Sequence, residues 1–245
     1  MTEFYIFALI LLITFVASYE QTVTGFGFGI VAMIFLPRLL LFTEANVLSA
    51  ILSSLTSVFV VVTMYRHVNW KNLIFPILGS IVTNYLAITF IKGSENQVLI
   101  LLLGIALLVL SIYFFFFSHK IRIRPSWYAG LIAGIISGAM SGLFSIGGPP
   151  VVIYYMQSEE STDRYLATIS TFFVLSGILS ISMKVAAGFV TRNVLLGLAL
   201  GLLGMLVGVL LGKKTGDKTN PVLIKKLVYG VMAVSGLSNI ITSLI

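Results

Sequence analysis

The chain has 245 residues, of which 58% are hydrophobic and only 9% charged; the mean hydropathy is +1.09 and the formal net charge +7. A soluble domain carries about 25% charged residues, so this composition excludes a soluble catalytic or nucleotide-binding domain and predicts an all-α, multispanning membrane protein. Cysteine is absent, which rules out disulfides and thiolate metal sites. With no G-x-x-x-x-G-K-[ST] loop for ATP either, no cofactor and no metal are expected.

The first apolar segment follows Glu3 and no basic residue. It lacks the positive region of a cleaved signal and is expected to stay in the membrane. Between Glu3 and Arg38 the only charge is Glu20, which leaves residues 4–37 as 34 nearly uncharged positions. One crossing takes about 20 helical residues, so 34 is too long for one span and too short for two. A helix that breaks and continues as a shorter piece fits this length. The break is expected at Thr24-Gly25-Phe26-Gly27-Phe28-Gly29. Uncharged spans follow at 45–65, 72–91 and 96–118.

The pattern then repeats. Residues 125–158 are another 34 positions, here without any charge, and contain Ser145-Ile146-Gly147-Gly148-Pro149-Pro150. Spans follow at 165–183, 193–212 and 227–245. Gly27 matches Gly147, Thr43-Glu44 matches Thr162-Asp163, Val68-Asn69 resembles Val190-Thr191, Gly79 resembles Gly201, and Lys92 resembles Lys214. These matches keep their order and predict a duplication: residues 1–120 as one membrane repeat and 121–245 as the second, about five helical segments each. A broken pair either crosses twice or enters and returns, so with the three spans that follow each repeat crosses an odd number of times, which makes the two repeats inverted.

Charge sets the orientation. Eleven of the 15 Lys and Arg fall on one side; the other four are Arg38, Lys92, Lys184 and Arg192. The larger group belongs in the cytoplasm, which places both termini outside the cell membrane. Basic residues in short loops fix orientation and do not point to nucleic acid. His67 and His119 fall in separate cytoplasmic loops, far apart for a metal site.

A helix break in hydrocarbon is tolerated only where the freed backbone groups are buried in protein or line a cavity. N–H groups at the restart of a helix carry partial positive charge and attract anions. Gly25, Gly27 and Gly29 in the first cluster, with Phe28 between them, and Ser145, Gly147, Gly148 and Pro149 in the second are therefore candidate anion-binding residues. A merely kinked or tightly packed helix is the bland alternative. Gln21 and Thr24 flank the first break. Asn46, Ser49 and Ser53 share one helix face, as do Thr168 and Thr171; their hydroxyls and amides suit either an oxyanion shell or interhelical hydrogen bonds. Glu20, the one acid inside an apolar stretch, is the candidate for carrying a coupling proton, although a helix starting at residue 4 places it near the far interface. No Arg or Lys lies deep inside a span, so a bound anion is expected to be held by neutral donors, with monoanions preferred over dianions. The glycines recurring at 130, 134, 138 and 142, and at 197, 201, 204, 208 and 212, read as close-packing stripes. They serve contacts either between the repeats or between two copies in a homodimer.

The two glycine clusters and the two-half layout resemble the sulfite exporter TauE/SafE family, also called the 4-toluene sulfonate uptake permeases. Gly147-Gly148-Pro149 matches the family's glycine-rich break well, while Phe28 stands where a glycine is common. The resemblance covers nearly the whole chain. It implies a secondary transporter, not an enzyme, moving sulfite or an organosulfonate by alternating access across a lipid bilayer. A transporter of another small solute, or a non-transporting membrane partner or enzyme, are the rival readings; an enzyme would call for clustered His, Asp or Glu within the spans.

Overall fold

The computed structural model describes residues 2–116, 124–215 and 221–244. The repeat boundary expected between residues 120 and 121 falls outside the described residues, as do His119, Lys120, Arg122 and Lys218. Among the described residues there are ten α-helices and no strand: α1 (Thr2–Thr24), α2 (Phe28–Phe35), α3 (Phe42–Met64), α4 (Trp70–Lys92), α5 (Asn96–Phe116), α6 (Trp127–Phe144), α7 (Gly148–Ser158), α8 (Thr162–Ala186), α9 (Arg192–Thr215) and α10 (Pro221–Leu244). Eight are long and apolar enough to cross a membrane. The exceptions are α2 and α7, which at 1.5 Å per residue reach only about 12 and 16 Å. Large apolar side chains such as Leu78, Val82 and Leu86 stand exposed along the outward faces, where lipid is their natural solvent. The protein is an integral, multi-pass membrane protein.

The two 34-residue stretches break at the glycine clusters, and in each the second, shorter piece turns back along the first. Gly27 lies against the Glu20 carboxylate, and Val31 and Ile34 of α2 share a groove with Leu9, Ile13 and Val16 of α1. The same return brings Tyr154 of α7 back to Gly130 of α6. Each stretch is thus a helical hairpin with one long arm and one short arm.

Small residues decide how the long helices pair. A Cβ on Gly134 would lie 2.1 Å from the Pro76 carbonyl oxygen, and one on Gly138 2.3 Å from that of Ser80. Helices α6 and α4 therefore touch backbone to backbone. The other stripe does the same for α9 and α1, where a Cβ on Gly204 would lie 2.3 Å from the Leu11 carbonyl oxygen. Pro76 removes one helical N–H from α4; the carbonyl it orphans, on Asn72, accepts from the Tyr155 hydroxyl at 3.3 Å. In both pairs one helix comes from the first five and one from the last five, so the stripes are used within the chain. Helices α3 and α8 cross near Ser54 and Gly177, and α5 runs antiparallel to α10, with the Ser111 hydroxyl donating to the Tyr229 carbonyl at 2.8 Å.

Two buried carboxylates tie helix starts together. Glu44, at the start of α3, accepts from the Thr191 hydroxyl at 2.6 Å and from the Asn193 amide at 3.2 Å. Glu159, after α7, accepts from Asn72 at 2.7 Å and Asn69 at 3.2 Å, with Arg164 at 3.6 Å. Glu44 thereby clamps the loop before the glycine-striped α9, and Glu159 the start of α4, the partner of the glycine-striped α6.

Candidate functional site

The first break closes with Gly25 at φ 85 and reopens through Gly27 at φ 113, a left-handed backbone that side chains other than glycine adopt at a cost. The amide of Gly25 still bonds the Gln21 carbonyl at 2.8 Å, and the Thr24 hydroxyl donates to the Phe26 carbonyl at 2.7 Å. The second break is built differently. Ser145 takes the left-handed position at φ 55, held by its amide on Ser141 at 2.9 Å and by the Ile146 amide on Met140 at 3.3 Å. The Ser137 hydroxyl ties down the Gly147 carbonyl at 2.5 Å. Pro149 and Pro150 then occupy the first turn of α7, as a restart permits.

The two breaks abut. A Cβ on Gly29 would lie 1.8 Å from the Ser145 carbonyl oxygen, and Gly148 packs on the Phe26 ring. Where they meet, beside the crossing of α3 and α8, there is a cavity of about 50 Å³. One water needs roughly 10–15 Å³ on this measure, so the space takes three to five waters or one small anion. Its polar wall is mainly serine: Ser53 and Ser54 from α3, Ser137, Ser141 and Ser145 from α6 and its end, Ser176 and Ser180 from α8. Apolar cover comes from Phe26, Phe172 and Phe173. The Ser180 hydroxyl is buried without a hydrogen-bond partner among the described residues. A larger groove of about 470 Å³ between α1, α2 and α10 is lined by aliphatic side chains and Phe35, with Arg38 its one polar side chain among the described residues.

Eight of the residues expected at the site line this cavity: Gln21, Gly27, Gly29, Ser53, Ser145, Gly147, Gly148 and Pro149. Gln21 is held in place by donating to the Ser57 hydroxyl at 2.8 Å and accepting from the Ser53 hydroxyl at 3.0 Å. Seven others lie outside the lining. Asn46 braces the second break, donating to the Leu143 carbonyl at 2.8 Å while its own carbonyl accepts from Ser145. Gly25 packs on Tyr165 and Leu166 of α8, Phe28 is fully buried, and Thr24 serves its own turn. The Ser49 hydroxyl is buried elsewhere. Thr168 accepts from the Asn69 amide at 3.0 Å, and Thr171 bonds its own helix at 2.7 Å. Glu20 is buried beside Gly27, with the Thr24 hydroxyl 3.3 Å from its carboxylate, so it belongs to the first break rather than to an interface.

Two readings of the sequence need correction. The prolines of the second break remove N–H donors as well as easing the restart, so of the first three residues of α7 only Gly148 keeps one, whereas Phe28, Gly29 and Ile30 of α2 all do. And the site is not free of cations. Lys184 is fully buried, and its ammonium donates to the Ser145 hydroxyl at 2.8 Å and the Ser141 carbonyl at 3.3 Å. Its position at the end of an apolar run reads as a loop cation, but a lysine side chain at a helix end reaches back several ångströms. Ser137, Ser141, Ser176 and Ser180 were equally hidden. Their spacing on α6 and on α8 is four residues, the only signal that they share a face.

The family model for the sulfite exporter TauE/SafE matches residues 10–239. The chain belongs to this TauE/SafE family. Among curated relatives, a TauE/SafE chain of Cupriavidus necator described as a probable sulfite/organosulfonate exporter TauE is 28% identical over 166 residues, covering 65% of this chain and 64% of the relative. The matched region thus spans just under two thirds of that relative's length. No solved structure matches this TauE/SafE chain.

Proposed function

We propose that the chain is a secondary transporter of a small anion, sulfite or a short organosulfonate, in the cell membrane. The observation that carries this reading is the serine-lined cavity formed where two helix breaks meet inside an otherwise apolar bundle. Its volume of about 50 Å³ suits the four heavy atoms of sulfite, and family membership favours that chemistry. Residues 1–120 and 121–245 act as two inverted repeats that rearrange around the cavity in alternating access. Exchange of packing partners supports this: α1 lies on α9 as α6 lies on α4, while α3 and α8, and α5 and α10, pair with their own counterparts.

The eight lining residues from the sequence-derived set, with Ser54, Ser141 and Ser180, are the proposed binding residues. Outward movement needs no coupling ion: an interior-negative potential of 100 mV favours expelling each negative charge by about 2.3 kcal/mol. Glu20, behind Gly27, is the proposed proton carrier if uptake is driven. Both termini face outward in this reading. The deciding measurement is flux of labelled sulfite into proteoliposomes containing only this chain. Flux that saturates and is blocked by methanesulfonate supports the proposal; flux equal to that of empty vesicles ends it.

A further inference from the structure

Among the described residues Lys184 has no carboxylate counter-ion. The ion pairs among the described residues are those of Arg164 with Glu159 and Glu160. A buried cation without a partner charge is costly unless something offsets it. Of the three N–H groups of an ammonium, Ser145 and Ser141 take two, and both residues form part of the cavity wall. Ser180, one helical turn before Lys184 on α8, presents to that same cavity a buried hydroxyl with no partner. The charge stands beside the break that has lost donors to Pro149 and Pro150.

From this arrangement we infer that Lys184 is the fixed counter-charge of the anion cavity, a positioning residue acting from behind Ser141 and Ser145, and that the Ser180 hydroxyl is a direct donor to the bound oxyanion. The inference rests on the transporter reading above. It makes the site responsive to ligand charge, not only to ligand shape. A positive charge in a low-dielectric wall attracts a dianion about twice as strongly as a monoanion at the same distance. Neutralising it must therefore cost sulfate or fully ionised sulfite more than methanesulfonate. A residue that merely braced Ser145 would weaken all three alike.

The test is calorimetric titration of the purified full chain with sulfate, sulfite and methanesulfonate at fixed ionic strength. Lys184→Gln keeps a donor for Ser145 and removes the charge. It should weaken sulfate and sulfite binding by about tenfold or more, the scale of one charge-assisted interaction, and methanesulfonate binding by a clearly smaller factor. Lys184→Arg should keep the parent's ratio of dianion to monoanion affinity. Ser180→Ala, which leaves the cation in place, should weaken all three anions without moving that ratio. Equal losses for all ligands in Lys184→Gln, or affinities within twofold of the parent, overturn the role of Lys184. Should Lys184→Gln unfold on extraction, a ratio that collapses in folded Lys184→Arg, or unchanged affinity in Ser180→Ala, overturns the arrangement. A parent chain that binds none of the anions fails the transporter reading itself and this inference with it.

Discussion

Replacing Gly29 with alanine tests whether the two breaks must touch. Gly29 has an ordinary helical backbone at the start of α2, so alanine brings no conformational strain. Its Cβ, however, would sit 1.8 Å from the Ser145 carbonyl oxygen and 2.9 Å from the Ser145 carbonyl carbon. Real Cβ contacts essentially never fall below 3.0 Å, so the breaks must separate by at least 3.0 − 1.8 = 1.2 Å. The obstacle is backbone and cannot rotate away. Overpacking of this kind costs about 1–3 kcal/mol, or roughly 2–12 °C in Tm for a chain of this length. The functional loss should be larger, because a misplacement of about 1 Å at a preorganised site costs about 10²-fold. Thermal unfolding in detergent gives the first quantity and sulfite flux in proteoliposomes the second. Gly93→Ala, where the nearest atom to the new Cβ is 3.9 Å away, is the control. A Gly29→Ala protein with the parent's Tm and flux within twofold of the parent would refute the close contact of the breaks.

Three further expectations follow from the same geometry. Gly177→Leu, at the α3–α8 crossing where a Cβ already meets the Ser54 hydroxyl, should fill the cavity and abolish sulfite binding in calorimetry while the protein still elutes as a folded species; retained binding would move the site elsewhere. Ser137→Ala strips the buried Gly147 carbonyl of its donor and should lower stability by about 1–3 kcal/mol, read as a fall in Tm that a threonine at 137 partly restores. For topology, a cysteine at Ser126 should react with an impermeant maleimide only from the cytoplasm and one at Ser94 only from outside; the reverse pattern would invert the proposed orientation.

Charge spacing and glycine clusters made the membrane architecture readable before any coordinates, because hydrocarbon tolerates so few polar groups that their positions mark the ends and breaks of helices. Gly27, Gly29, Gly147 and Gly148 stood out for that reason. Whether each break joins two short spans or a long arm and a re-entrant short one did not, since both return the chain to the same side and only packing decides. Side-chain direction was also hidden. Ser53 reaches the cavity while Ser49, one turn earlier, does not; Thr168 and Thr171 point into other contacts. Lys184 misled most. Hydropathy counts a charge at a span's end as solvated, and nothing in one dimension records that the ammonium folds back onto Ser145.

The glycine-faced contacts also set an order of assembly. Helix α1 has its backbone partner in α9, and 167 residues, 25–191, lie between the end of one and the start of the other. At a synthesis rate of about 5–20 residues per second, α1 waits roughly 8–33 s in or beside the insertion machinery before the surface it fits has been made. Helix α4, whose partner is α6, waits only for α5 and the turn after it. The N-terminal helix therefore waits longest for its partner, and the stretch of smooth, glycine-matched surface it shows meanwhile is where a membrane chaperone or a premature partner would meet the nascent chain.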